Sequence, residues 1–224
     1  LRYVREYLSH NVLPEIAWST AHVPEDIGGG WFVITGGFGG LGLVTASALV
    51  DMGVRYIALV SRSGQVPYSG QGLEDRLSAL LQDKRVEVAC IQCDVSDEEA
   101  TRAMLSDLRN RSEGVGISGV VHAAGVLRDG LIRGGAAASG CEAVWRSKAC
   151  SAYHLDKLTR EDPIKIFITY SSISAMSGNI GQSVYAAANR YLDALVESRN
   201  RRASSGCTNV SIRWPSIRGV GMAA

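Results

Sequence analysis

The sequence predicts one α/β domain, built as a doubly wound parallel sheet with helices on both faces. Short apolar runs alternate with longer stretches of helical periodicity along most of the chain. A glycine-rich turn separates the first apolar run from the first helical stretch. The length of 224 residues is enough for one such domain with a large core, and too small for two ordinary domains with linkers.

Six runs rich in apolar and β-branched residues are the predicted strands, because strands covered on both faces lose the alternation of half-exposed strands. They span residues 31–35, 56–61, 86–93, 119–123, 164–171 and 209–214. The predicted helices span residues 41–52, 73–82, 98–110, 144–159 and 183–202. This alternation implies right-handed crossovers, with ligands bound at the carboxyl ends of the strands.

The start of the chain differs from the rest. Residues 1–30 contain prolines and a glycine run without sustained periodicity, so we expect a linker or lead-in there and the domain at residues 31–224. Within the domain, the Gly- and Ala-rich stretch 133–140 is predicted to be a flexible loop. The chain begins with Leu1 instead of Met, which suggests a piece of a longer polypeptide.

Composition narrows the possible partners. A formal net charge of +1 gives no electrostatic reason to expect nucleic acid or an anionic membrane, and no apolar run is long enough to span a bilayer. We therefore expect a small or protein-borne substrate and a cytoplasmic location. The five cysteines include a CxxC pair, Cys90 and Cys93, inside a predicted strand with no second Cys or His pair nearby. We expect reduced thiols and no metal site.

The glycine-rich turn is a candidate phosphate-binding loop. It contains the pattern GxGxxG at Gly37, Gly39 and Gly42. Backbone N–H groups of such a turn can approach a pyrophosphate, and the following helix adds a partial positive charge. Tight packing of helix on sheet is the alternative explanation of the glycines. The candidate residues are Thr35, Gly36, Gly37, Phe38, Gly39, Gly40, Leu41 and Gly42.

The residues after the next strands bear on the choice of cofactor. Arg62 stands 20 residues past Gly42, where an NAD-dependent enzyme carries an acid for the ribose 2′-hydroxyl. A guanidinium suits a 2′-phosphate instead, so the sequence favours NADPH, with a solvated surface arginine as the alternative. Asp94 is a candidate partner for the adenine amino group. The small residues that would let a dinucleotide lie close are Ala123, Ala124 and Gly125.

Four polar residues are candidates for the reduction of a carbonyl group. Ser172 follows the fifth predicted strand, and Tyr185 and Asn189 lie one turn apart on the last predicted helix. A tyrosine can protonate a developing alkoxide only if its pKa, about 10 when unperturbed, is lowered, and a nearby ammonium lowers it. Lys148, on the preceding predicted helix, is the candidate ammonium. Taken singly, each of the four is also consistent with an ordinary structural role.

Together these motifs resemble the short-chain dehydrogenase/reductase superfamily, whose fold is Rossmann-like, and in detail the ketoreductase domains of polyketide synthases. In ordinary members the active-site lysine follows the tyrosine by one helical turn. Here Asn189 has that place, and Lys148 lies 37 residues before Tyr185. This exchange is typical of polyketide and animal-type fatty-acid synthase ketoreductases. The shared motifs span residues 122–127, 170–174, 181–189, 192–195 and 221–223.

The resemblance implies NADPH-dependent reduction of a β-ketoacyl group, carried on the phosphopantetheine arm of an acyl carrier protein, to a β-hydroxyacyl group. Tyr185 would protonate the alkoxide and Ser172 would bind the keto oxygen. Lys148 would assist the tyrosine and bind the nicotinamide ribose, and Asn189 would position Lys148 and a relay water. Further partners would be other synthase domains or a structural ketoreductase half. Further implied cofactor contacts are Ser61, Val95 and His122.

The stereochemical signal lies after the fourth predicted strand. Asp129 is the last residue of a partial match to the Leu-Asp-Asp motif of ketoreductases that give the D-alcohol, and the tryptophan of the opposite class would fall at Ser177. The resemblance therefore favours a D-hydroxyl product, unless Asp129 only caps the following turn. Three alternatives remain for the chain: a catalytically silent structural module, an animal-type fatty-acid synthase ketoreductase, and a free-standing reductase of a small ketone or sugar.

Overall fold

The structure, a computed structural model, describes residues 27–67, 69–111, 116–131, 136–202 and 206–217. Six strands form one sheet: β1 (Trp31–Thr35), β2 (Tyr56–Ser61), β3 (Glu87–Gln92), β4 (Ile117–His122), β5 (Ile166–Ser172) and β6 (Thr208–Trp214). They pair in parallel throughout, in the order β3-β2-β1-β4-β5-β6. The predicted parallel sheet is confirmed, and each predicted strand end lies within two residues of the observed one.

Helices connect the strands. They are α1 (Gly40–Asp51), α2 (Leu73–Gln82), α3 (Glu98–Arg111), α4 (Ala136–Trp145), α5 (Ser151–Leu158), α6 (Ser174–Ser177) and α7 (Ser183–Arg202), with a short 3-10 helix at Ile27–Gly29. A π-helical turn, Arg146–Cys150, joins α4 to α5. The helix predicted at 144–159 is therefore three consecutive segments, and it begins earlier than expected.

The prediction of a flexible loop at 133–140 is wrong in its second half, because residues 136–140 open helix α4. Alanine has the highest intrinsic helix propensity, and an alanine-rich run next to a periodic segment extends the helix. Residues 133–135 lie outside the described residues.

The core has two layers, one on each face of the sheet. On one face, Phe32, Ile34 and Leu59 pack against the helices α1 and α2. On the other face, Val33 and Phe167 pack against α3 and α5, and α7 contacts α5 through a small cluster of its own. Helices on both faces explain why the inner strands β1, β2, β4 and β5 are apolar without alternation, whereas the edge strands β3 and β6 are partly exposed.

The topology determines where a ligand can bind. The chain leaves β1 toward one face of the sheet and leaves its neighbour β4 toward the other, so a crevice opens between the carboxyl ends of these two strands. Among the described residues, no helix combines the length and the apolar character needed to cross a bilayer. The predicted lead-in lies almost wholly outside the described residues, which begin at Ile27, so the domain limits stay a prediction.

Candidate active site

A cleft of about 1200 Å³ runs along the carboxyl ends of the strands. Most of the predicted site residues come together on its wall, although they are spread over 150 positions of the sequence from Thr35 to Tyr185. They are Thr35, Gly36, Phe38, Gly39, Gly40, Leu41, Gly42, Ser61, Arg62, Asp94, Val95, Ala123, Ala124, Gly125, Lys148, Ser172 and Tyr185. Four other predicted residues, Gly37, His122, Asp129 and Asn189, are not part of the cleft wall.

The glycine turn serves both packing and access. Gly36 has a φ of +66°, and a Cβ there would lie 2.9 Å from the carbonyl oxygen of Ala123. A Cβ at Gly42 would lie 2.4 Å from the carbonyl oxygen of Gly36, so this glycine lets α1 pack closely on the turn. Helix α1 nevertheless begins with no side-chain cap and no acidic residue in its first turn. Its first N–H groups are therefore open to an anion.

The end of the cleft next to β2 and β3 carries a positive and a negative side chain close together. Arg62, after β2, is exposed and lines the cleft. Asp94, after β3, accepts hydrogen bonds from the N–H and the hydroxyl of Ser96, at 3.0 and 2.7 Å. Partial burial acts to raise the pKa of Asp94, but these bonds and the charges of Arg146 and Arg62 lower it overall. Asp94 is thus an ionised acceptor close enough to Arg62 to feel its positive charge.

Lys148 lies in the π-helical turn and its side chain points into the protein, with 3% of the residue exposed. Its Nζ donates to the backbone carbonyl of Tyr170 at 2.9 Å and lies 5.6 Å from the centre of the Tyr185 ring. Burial lowers the pKa of Lys148 from 10.5 to about 8. Gly125 makes room for this lysine, because a Cβ there would lie 2.8 Å from its Cε.

Tyr185 and Asn189 follow each other by one turn on α7. The Asn189 Nδ2 donates to the carbonyl of Tyr185 at 2.8 Å, and the Asn189 carbonyl accepts from the Ser171 hydroxyl at 3.2 Å. Asn189 has no exposed surface, and its Oδ1 has no hydrogen-bond partner within the described part of the chain. An unpaired buried acceptor costs about 1–3 kcal/mol. The Asn189 Oδ1 is therefore an unpaired acceptor one helical turn from the tyrosine.

Ser172 ends β5 and lines the cleft. Its Oγ accepts hydrogen bonds from the Ser174 N–H at 3.2 Å and from the Ser174 hydroxyl at 3.0 Å. A hydroxyl has one hydrogen to donate and two lone pairs. With its acceptor sites occupied by Ser174, Ser172 keeps its own hydrogen for an oxygen in the cleft.

His122 was predicted to contact the cofactor, but it lies behind the cleft wall. It has no exposed surface, and both of its ring nitrogens have protein partners, Thr35 and the carbonyl of Lys148. The physical reason is its register, since His122 is the last residue of β4 and pairs with Thr35 inside the sheet. The small residues that follow it, Ala123 and Ala124, reach the cleft in its place.

The cleft also involves groups that the sequence did not single out. Gln182 donates to the Asp129 carboxylate at 2.8 Å, and the Gly130 N–H donates to the Gly181 carbonyl at 2.9 Å. These two bonds join the segment after β4 to the loop before α7. The Tyr170 carbonyl, which accepts from Lys148, is a backbone group, so no residue type in the sequence could have identified it. Gln182 lies within a motif that carried the family resemblance, and only this membership would have identified it.

Comparison with known proteins shows which family the chain belongs to. The family model described as "KR domain" matches residues 30–219. The polyketide synthase GfsA of Streptomyces halstedii is 38% identical over 194 residues, which are 87% of this chain and 2% of that protein. The erythronolide synthase EryA2 of Saccharopolyspora erythraea is 39% identical over 175 residues, which are 77% of this chain and 5% of that protein. The chain thus spans only a few per cent of the length of these curated relatives.

Solved structures agree. "A-type Ketoreductases from Modular Polyketide Synthase" superimpose with a TM-score of 0.75 at 35% identity, over 86% of this chain and 39% of that one. A ketoreductase domain from the bacillaene assembly line gives 0.74 at 32% identity, over 86% of this chain and 45% of that one. The chain therefore belongs to the KR family, the ketoreductase domains of polyketide synthases within the short-chain dehydrogenase/reductase superfamily.

Proposed function

We propose that this chain uses NADPH to reduce a β-ketoacyl thioester, carried on the phosphopantetheine arm of an acyl carrier protein, to the β-hydroxyacyl thioester. The observation that carries the proposal is the convergence of Lys148, Tyr185 and Ser172 at the β5 end of the cleft. The glycine turn and Arg62 lie toward β2 in the same cleft. One end suits an oxygen that gains negative charge, and the other suits phosphate groups.

The residues at the β5 end have distinct roles in this reaction. NADPH, when bound, supplies the hydride for the keto carbon. The Ser172 hydroxyl donates a hydrogen bond to the keto oxygen, and Tyr185 gives its phenolic proton to the same oxygen as that oxygen gains charge. The Lys148 ammonium, 5.6 Å from the ring centre, stabilises the negative charge left on the tyrosine. Asn189 holds the Tyr185 backbone through its 2.8 Å bond.

The cofactor residues fit a phosphorylated dinucleotide. The uncapped start of α1 offers N–H groups to the pyrophosphate, and Asp94 offers an acceptor to the adenine. Among the described residues the Arg62 guanidinium acts on Asp94 only through its charge, and it lines the cleft, so its donors are open to a 2′-phosphate. These features together favour NADPH over NADH.

Arg62→Ala is expected to weaken NADPH binding by about tenfold or more and to leave NADH binding nearly unchanged, because only NADPH carries the phosphate that pairs with the guanidinium. Fluorescence titration with each cofactor measures both dissociation constants. Arg76→Ala, which removes an exposed arginine of α2 outside the cleft, is the matched control. An equal loss for the two cofactors would contradict the assignment of Arg62 to the 2′-phosphate.

The direct test of the proposed reaction incubates the purified chain with NADPH or NADH and a β-ketoacyl thioester, and follows the loss of nicotinamide absorbance. We expect turnover with NADPH, and a D-configured hydroxyl when the product is separated on a chiral column. The D-alcohol is proposed because Asp129 is retained, and its bond to Gln182 joins two segments at the cleft where an acyl chain would enter.

Two results would contradict the proposed reaction or its proposed stereochemistry. A folded chain that binds NADPH and never oxidises it would favour a silent structural module of a synthase. An L-configured product would leave the reductase intact and remove the stereochemical role of Asp129.

A further inference from the structure

His122 is a buried polar residue that has no role in the proposed reaction. Its Nδ1 lies 2.7 Å from the Thr35 hydroxyl oxygen, and its Nε2 lies 3.0 Å from the backbone carbonyl oxygen of Lys148. Thr35 is the residue before the glycine turn. One imidazole ring therefore joins the phosphate-binding end of the cleft to the backbone of the lysine that contacts Tyr185.

The partners of the ring determine where its proton lies. A carbonyl oxygen can only accept, so the proton is on Nε2 and is donated to Lys148. Nδ1 then accepts from the Thr35 hydroxyl, whose oxygen in turn accepts from the Ala124 N–H at 3.3 Å. Burial, followed by the charge of Lys148, lowers the pKa of His122 from 6.5 to about 3. The ring is neutral at any working pH, and the network has one fixed direction.

The backbone at Lys148 has a particular need for an anchor. In the π-helical turn the Ser151 N–H donates to the Arg146 carbonyl, five residues back, and is shared with the Lys148 carbonyl. Such a turn interrupts the regular ladder of hydrogen bonds four residues apart, and it recurs at functional sites. Outside the helix, Lys148 is held at two points, by His122 at its carbonyl and by Tyr170 at its Nζ.

We propose that His122 is a positioning residue, whose Nε2–H holds the Lys148 backbone and thereby sets the ammonium against the Tyr185 ring. The inference rests on the proposed function of Lys148 and Tyr185. It assigns no cofactor contact to His122, because the ring is fully buried and both nitrogens are occupied. The catalytic effect of His122 is therefore exerted through the lysine.

Two substitutions test the hydrogen bonds of the two ring nitrogens of His122 separately. His122→Gln carries an amide nitrogen near the place of Nε2 and can still donate to Lys148. His122→Asn keeps an acceptor near Nδ1 for Thr35 and loses the bond to Lys148. We expect kcat of His122→Asn to fall about tenfold or more while its NADPH dissociation constant stays within about threefold, and His122→Gln to keep most of kcat. Urea unfolding midpoints are measured in parallel for both variants.

A second measurement is independent of turnover. Hydrogen exchange of the peptides that cover Arg146–Ser151 is followed in the whole 224-residue chain without substrate. We expect faster exchange there in His122→Asn and wild-type protection in His122→Gln. If His122→Asn does not fold, the test rests on hydrogen exchange in His122→Gln. Loss of protection at Arg146–Ser151 in that folded variant would overturn the proposal.

The outcomes distinguish the two proposals. The wild-type chain could show no turnover while the two variants still differ in hydrogen exchange. That result would contradict the proposed reaction and support the bond from His122 to the Lys148 backbone. An active wild type whose two variants lose kcat equally, or whose variants change only NADPH affinity, would overturn the positioning role of His122. A purely structural histidine would lower the unfolding midpoints without separating Gln from Asn in kcat.

Discussion

Tyr185→Phe is expected to lower kcat for reduction of a β-ketoacyl thioester by about 10²–10⁴-fold, the usual contribution of a positioned general acid. Only the hydroxyl is removed, and the ring remains beside Lys148, so the dissociation constant of NADPH is expected to stay nearly unchanged. Steady-state kinetics and a fluorescence titration on the same preparation measure the two quantities.

The matched control is Tyr191→Phe. Tyr191 lies on the same helix, and its ring contacts the tilted ring of Trp145 with centroids 5.6 Å apart, outside the cleft. This variant is expected to keep the wild-type kcat. If Tyr185→Phe reduced the thioester at the wild-type rate, the tyrosine would not be the proton donor.

Lys148→Met is the second large effect, because it removes the ammonium and keeps a stem of similar length. We expect kcat to fall by about 10²-fold or more, the scale of losing one preorganised charge or donor at a reacting group. In the wild type, kcat/KM should also fall as pH rises above about 8, where the free enzyme loses the Lys148 proton. Lys157→Met, which removes a surface lysine 2.8 Å from Glu98, is the control and should keep both kcat and the pH profile.

The same lysine predicts how stability depends on pH. Its pKa is lowered from 10.5 in the unfolded chain to about 8 in the fold, so between these two values the unfolded state holds more protons. Raising the pH through that window should increase the free energy of unfolding of the wild type relative to Lys148→Met, by at most roughly 3 kcal/mol. Urea denaturation at several pH values measures this difference. A difference that shrinks with rising pH would show instead that the fold raises the pKa of Lys148, contrary to the effect of burial.

Local patterns predicted the layers and strands of this fold well. Runs rich in apolar and β-branched residues identified all six strands, and the four inner strands lack alternation because burial on both faces removes the polar side of a strand. The end of the fourth helical stretch was also predicted, at 159 against the observed Leu158. Its start was not, because glycine and alanine at 136–140 favour a loop by composition and a helix by the propensity of alanine. The π-helical turn at Arg146–Cys150 has no local signature in the sequence.

The candidate site was predicted residue by residue where spacing carried the information. The glycine pattern, Arg62, and the pair Tyr185 and Asn189 each follow from their distance along the chain to a strand or helix end. Lys148 was harder, because it comes from another helix 37 residues before Tyr185, and the sequence offered it only as the candidate ammonium on the preceding helix, which the family resemblance then supported. The 5.6 Å separation of its Nζ from the ring centre is a property of how the helices pack.

By itself, the sequence determined the parallel α/β fold, the carboxyl edge as the site, and the membership in the ketoreductase family through the exchanged lysine and asparagine. Only the tertiary structure decided that Tyr170 holds Lys148 by its carbonyl, that Gln182 holds Asp129, and that His122 lies behind the cleft. The physical reason is that these contacts join residues far apart in the chain. Two of them are made to backbone carbonyls, which every residue carries and which leave no mark in the sequence.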